Sequence, residues 1–201
     1  MKKILFILTT LLFFNLSCSK LLDTKPTDFV VPEFFYSNAA ELQMALNGVY
    51  SQLIDADCYG NNYLYMFNTN TDESYGFSID LITSYQYTST DTKVNVLWNS
   101  SYIGIERANM LLANINKPEM DETKRGIIEG EALFLRAYFY FLLVSNYGDV
   151  PLKLTPTVSV KDVNIARTPT KDVYAQIVKD MTRAEALLQT QTVASIGSSG
   201  K

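Results

Sequence analysis

Ala132-Leu-Phe-Leu-Arg136-Ala-Tyr-Phe-Tyr140-Phe-Leu-Leu-Val144 is the stretch on which the fold turns, because it holds a single charge, Arg136, and no residue that breaks a helix. It is too short to cross a bilayer, which takes about 20 apolar residues. A helix apolar nearly all round belongs instead in the middle of a helical stack, covered on several sides. Upstream, Asp121 marks a start; downstream, Asn146-Tyr147-Gly148 with Pro151 just beyond marks a stop. A buried, unpaired guanidinium is expensive, so Arg136 is expected to pair with Glu129 or Glu131 from the turn before, or with a neighbouring helix.

Three more helices follow from periodicity. Asn38 is placed to cap a helix, with Glu41 three residues on to return the bond, and Leu42, Leu46, Val49 and Leu53 then recur on one face. Trp98, Tyr102, Ile105, Asn109 and Leu112 line a second face, flanked by Gly104, Ala108 and Leu111, where another helix can come close. The last opens at Thr168-Pro169, shows Val173, Ile177, Met181, Ala184 and Leu188 on one side, and runs to about Gln189. Periodicity alone gives an all-α domain.

Two segments read as non-helical. From Tyr59 to Thr90 there are eight aromatics in 32 residues, about twice the average density, among Asn, Thr, Ser and Asp. So long a connection is usually functional or disordered, and its aromatics argue against disorder. Within it Tyr63, Tyr65 and Phe67 alternate at a step of two, which predicts an extended stretch with one core-facing side. The other segment, Asp149 to Arg167, reads as an extended excursion from Pro151, Pro156 and the alternating Val158, Val160 and Val163.

The N-terminus reads as an export signal. Lys2 and Lys3 precede an apolar stretch from Ile4 to Phe14, and Asn15-Leu16-Ser17-Cys18 leads into polar sequence. A secretory signal has this order, with an apolar part of about 7–15 residues. Residues 1–17 are therefore expected to be removed, leaving Cys18 as the lipid attachment site; ordinary cleavage near Ser17 is the competing reading. Residues 18–37 then form an extended segment, and 38–201 the helical domain.

Without Lys2 and Lys3 the chain carries 15 basic and 21 acidic residues, a net −6, unsuited to the phosphates of nucleic acid. There is no histidine, which removes the usual proton shuttle and the commonest transition-metal ligand. No catalytic residue, metal site or cofactor is therefore assigned. Cys58 has no partner if Cys18 is acylated, and is expected to be a small buried hydrophobe.

Several segments, in order, resemble the SusD/RagB family of outer-membrane nutrient-binding lipoproteins from Bacteroidota. They are Cys18-Ser-Lys-Leu-Leu-Asp-Thr-Lys-Pro-Thr-Asp28, Asn47-Gly48-Val49-Tyr50, Thr71-Asp72-Glu73, and Trp98-Asn99 with Tyr102, Ile105, Ala108 and Asn109. They continue with Glu129-Gly130-Glu131-Ala132 followed by Leu135-Arg136-Ala137 and Tyr140, then Asn146-Tyr147-Gly148-Asp149-Val150-Pro151-Leu152, and Val173-Tyr174 with Ile177 and Asp180. The resemblance implies a tetratricopeptide-like helical bundle with a long irregular aromatic-rich insertion. It also implies a lipid-anchored protein on the cell surface, at the outer membrane, that captures an oligosaccharide or other nutrient for a SusC-like TonB-dependent transporter. Family members run well beyond this length, so the chain is expected to be their N-terminal part.

Ring faces suit the C–H side of a sugar while Asn, Asp and Thr bond its hydroxyls. Tyr75, Phe77, Tyr85 and Tyr87 are the candidate ligand wall; the competing reading is that they pack the insertion onto the helices. Trp98 is at helical spacing with Tyr102 and Ile105, which points to packing. Asp72 and Glu73, adjacent on an extended chain, point opposite ways and do not converge as a glycosidase pair must. Two alternatives remain: a helical scaffold lipoprotein without ligand, and a surface hydrolase, which the missing histidine disfavours.

Overall fold

A computed structural model describes residues 35–69, 71 and 84–189. The chain divides into Met1–Phe35 and Tyr36–Lys201, and the architecture below is that of the second unit. The signal segment, Cys18, Asp72, Glu73, Tyr75 and Phe77 lie outside the described residues.

The described elements are helices: α1 (Ala39–Ser51), α2 (Asn62–Thr69), α3 (Thr92–Asn114), α4 (Glu122–Tyr147) and α5 (Thr170–Leu188), with a 3-10 turn at Val160–Val163. The apolar helix α4 sits in the middle, packed against α1, α3 and α5, while α2 rests on α3. The α3–α4 and α4–α5 pairings run antiparallel. Val94, Gly104 and Asn109 of α3 meet Tyr147, Phe139 and Arg136 of α4, so one numbering rises as the other falls. Across the other seam Gly126 and Glu129 of α4 meet Leu187 and Arg183 of α5, and Arg136 meets Asp180.

The helix starts are made by the expected residues. Asn38 Oδ1 accepts from the Glu41 N–H at 3.0 Å, while Glu41 reaches back to the Ser37 N–H at 2.7 Å. Asp121 accepts from the Lys124 N–H at 2.9 Å, satisfying one of the free donors of the first turn. The C-terminal end of α4 turns at Gly148, whose φ of +68° lies where side chains are strained. Pro169 opens α5 without a side-chain cap of its own. That role falls to Asp149, whose Oδ1 accepts from both the N–H and the hydroxyl of Thr170 at 2.8 Å. Beside it the Thr168 N–H donates to the Val150 carbonyl, drawing the two ends of the α4–α5 connection together.

The α3–α4 seam is closer than side chains would permit. A Cβ on Gly104 would lie 2.4 Å from the ring of Phe139, so glycine is what lets that ring come this close to the α3 backbone. The small-residue flank of α3 is thus the centre of its buried face, with Leu97, Ser101, Ile105, Ala108 and Leu111. Trp98 and Tyr102 are half-buried at its edge and in contact with each other, and Trp98 also meets Tyr147.

Arg136 finds its partner on the neighbouring helix. Its Nε and Nη2 donate to the two oxygens of Asp180, and Nη1 donates to Asn109 Oδ1 at 3.0 Å. Glu129 and Glu131 are occupied elsewhere, by Arg183 and by the Tyr50 hydroxyl. Asp180 therefore occupies a buried position on the inner face of α5, beside Val173, Ile177 and Ala184.

Two expectations are corrected. Tyr63, Tyr65 and Phe67 do not lie on an extended stretch; they belong to α2. Tyr59, Tyr63 and Phe67 recur at a step of four, and their rings meet in sequence, edge to face at 4.8 Å and tilted at 4.4 Å between centroids, so the step of four outweighs the step of two. Only Tyr63 of the three is fully buried, and Phe67 is exposed. Nor does the alternation of Val158, Val160 and Val163 mark a buried face, for all three are exposed. Val160–Val163 instead form a 3-10 turn closed by a capping box between Ser159 and Asp162.

What fixes the Asp149–Arg167 segment is polar. Tyr140, wholly buried, donates its hydroxyl to the Lys153 carbonyl and accepts from the Lys153 N–H, both at 2.7 Å. Asn109 Nδ2 donates to the same carbonyl at 3.0 Å, and the Tyr102 hydroxyl donates to the Pro151 carbonyl at 2.8 Å. Burial pushes the Tyr140 phenol up to about 12. Cys58 is a free thiol, fully buried, its pKa raised by burial. Among the described residues no buried side-chain nitrogen or oxygen lacks a hydrogen bond.

Candidate functional site

The start of α3, the end of α4 and helix α2 meet at one end of the bundle and leave a cleft between them. Tyr63, Met66 and Phe67 of α2, Thr71, Tyr87 of the following connection, Val94 and Leu97 of α3, and Asn146 and Tyr147 of α4 line about 290 Å³. Ligand clefts run from about 300 to 1,000 Å³ and are mostly apolar with a few placed polar groups, so this one is at the small end of that range.

Helix geometry sets the walls. The i, i+4 step brings Tyr63 and Phe67 to one side of α2, and the same step on the α4 side fixes Asn146, whose Nδ2 donates to the Leu142 carbonyl at 2.8 Å. Tyr147 donates its hydroxyl to the Val94 carbonyl at 2.7 Å, tying the end of α4 to the first turn of α3. Burial raises the pKa of both Tyr63 and Tyr147, so both are neutral phenols.

Of the candidate wall, Tyr87 is in the cleft, with 43% of its surface exposed. Tyr85, more exposed and with a φ of +55°, is not among the cleft's lining residues. Tyr75 and Phe77 lie outside the described residues. Sequence reasoning did not find Met66, Val94, Asn146 or Tyr147 as cleft residues. Asn146-Tyr147-Gly148 had a signal, but as a helix stop; the side chains just ahead of that stop are what face the cleft.

The cleft can hold a ligand by contact. It offers ring surface from Tyr63, Phe67, Tyr87 and Tyr147, and hydrogen-bonding groups from Thr71 and Asn146. Among the described residues no three cysteines or carboxylates come together to hold a metal ion. No described helix is long and apolar enough to cross a membrane.

Residues 20–196 match the SusD-like family model described as starch-binding and associating with the outer membrane, and the chain belongs to that family. SusD-like protein P2 of Formosa agariphila is 26% identical over 195 residues, covering 94% of this chain and 38% of that protein. A SusD superfamily protein from Bacteroides vulgatus shares the fold with a TM-score of 0.70 at 21% identity, covering 79% of this chain and 36% of that one. A laminarin-binding SusD-like protein superposes with a TM-score of 0.64 at 26% identity, over 76% of this chain and 34% of its own. The chain thus spans little more than a third of the length of these relatives. The fold is the tetratricopeptide-like helical bundle of the SusD superfamily.

Proposed function

We propose that this chain is the helical, N-terminal part of a glycan-binding surface protein, anchored in the outer membrane by lipid on Cys18. In this reading it holds an oligosaccharide for a SusC-like TonB-dependent transporter, and it makes or breaks no bond.

The observation that carries the reading is the cleft beneath Tyr87, because its composition is what a sugar requires. Ring faces take the apolar C–H side of a pyranose, while the Asn146 amide and Thr71 hydroxyl, held at its edge, offer bonds to hydroxyls. Membership of a starch-binding family and likeness to a laminarin-binding protein support a glucan. Tyr75 and Phe77 are assigned to the same wall by their place in the sequence, whereas Tyr85 is not among the residues that line the cleft.

Native electrophoresis through gels cast with laminarin or starch tests the proposal. Retardation of the wild-type chain, reduced in the Tyr87→Ala variant, is expected. Unchanged migration in both polysaccharides and in a broader glycan panel would favour the scaffold reading. Metabolic labelling with a clickable palmitate tests the anchor, and loss of label in Cys18→Ser is expected.

A further inference from the structure

The cleft ends at Tyr147, and behind Tyr147 stands Trp98, their rings crossing edge to face with centroids 5.1 Å apart. On the far side of this pair is a second and larger hollow of about 690 Å³, between helix α3 and the segment that connects α4 to α5. One aromatic pair is therefore the partition between two concave surfaces at the same end of the bundle.

We propose that this second hollow is a further carbohydrate subsite, so that the protein takes a linear oligosaccharide lying across the Trp98–Tyr147 pair. The proposal rests on the glycan-binding reading of the Tyr87 cleft. The cleft alone is too small for more than the end of such a chain.

The lining of the hollow is mixed in the way a sugar needs. Tyr102, Ile103, Pro151, Val163 and Ile165 supply apolar surface beside Trp98. Its rim is polar and held in place: Glu106 accepts from the Thr157 N–H at 2.6 Å and from the Thr157 hydroxyl at 3.1 Å, and pairs with Lys153 at 3.5 Å. Lys153 also donates to the Thr157 hydroxyl. Hydroxyls of a ligand can donate to the second lone pairs of that carboxylate and accept from the ammonium. Asn99, exposed on α3, adds a free-standing amide at the Trp98 end.

The floor is rigid for reasons already given by the fold. Tyr102 is bonded to the Pro151 carbonyl, and Lys153 is gripped through both backbone groups by Tyr140. Arg167 lies over the Trp98 ring at 5.5 Å and bonds the Asp149 carbonyl at 2.7 Å, fixing the indole from outside. A hollow with both walls held before ligand arrives loses little in ordering when it is filled.

Trp98 is the only tryptophan of the chain, so its emission reports on this hollow directly. The full chain is titrated with laminaribiose and laminarihexaose, following heat and Trp98 emission together, in the wild type and in Ile165→Arg and Asn99→Ala. Both substitutions fall on exposed residues, and circular dichroism checks that each variant is folded. Expected are a saturable shift of Trp98 emission with the hexaose and a hexaose affinity about tenfold above that of the biose. Ile165→Arg should remove both and leave biose binding unchanged, while Asn99→Ala weakens the hexaose alone. Hexaose heat with unmoved Trp98 emission, and the same affinity in Ile165→Arg, would overturn the second subsite while leaving the Tyr87 cleft intact. Absence of heat from either sugar would overturn the cleft and the subsite together.

Discussion

Arg136 and Asp180 meet as a fork on a fork, Nε to Oδ2 at 2.7 Å and Nη2 to Oδ1 at 2.9 Å, inside the seam between α4 and α5. Both side chains are almost wholly withdrawn from water, and their remaining groups are used: Nη1 on Asn109, Oδ1 also on Gln176. Removing one partner leaves a buried charge without its counter-ion, which costs about 3–5 kcal/mol, whereas replacing both by apolar residues is far milder. Asp180→Ala and Arg136→Met should each destabilise by that amount in urea unfolding, and Arg136→Met with Asp180→Leu together by much less than the sum. Additive losses would show that the two residues do not act as a pair.

The contact of Gly104 with Phe139 makes a prediction with a sign that is easily read. Alanine in a helix is favoured over glycine by about 1 kcal/mol, but overpacking a tight seam costs about 1–3 kcal/mol. Gly104→Ala should therefore be net destabilising by denaturant titration. Trimming the ring in Gly104→Ala with Phe139→Leu should recover much of the loss. A stabilised single variant would mean that α3 and α4 are not this close.

Asp149 gives the fold a dependence on acid. Hydrogen bonds from the Thr170 N–H and hydroxyl hold its carboxyl below the usual 3.8, as backbone N–H bonds do for Glu41 and Asp162 in their own turns. A carboxylate whose folded pKa is lowered adds stability above its unfolded value and loses it as pH falls through the folded one. Asp149→Ala should melt below the wild type at neutral pH, and the gap should close as pH drops below 3.8. A gap that stays constant down to strongly acid pH would show that the carboxylate does not cap α5.

The four longer helices were legible because each signal was local. Asn38, Asp121 and Gly148 sit at helix ends, and the 3.6-residue period of Leu42, Leu46 and Val49 or of Val173 and Ile177 needs no knowledge of the rest of the chain. Arg136 announced a buried pair, but not its partner, because Asp180 is 44 residues away and looks like any polar residue of an amphipathic helix. Helix α2 was missed because eight residues with five large side chains satisfy a step of two and a step of four at once. The cleft was half legible: aromatic density pointed to Tyr87, while Asn146 and Tyr147 come from the far end of α4 and only the antiparallel α3–α4 packing brings them there.

Calorimetric titration of the full chain with laminarihexaose bears most directly on the central claim, because one trace records both capture and any turnover. Expected are a saturating binding heat, no continuing heat flow once saturation is reached, and an affinity about tenfold weaker in Tyr87→Ala. Sustained heat from sugar cleavage, or equal heats in wild type and Tyr87→Ala, would contradict it.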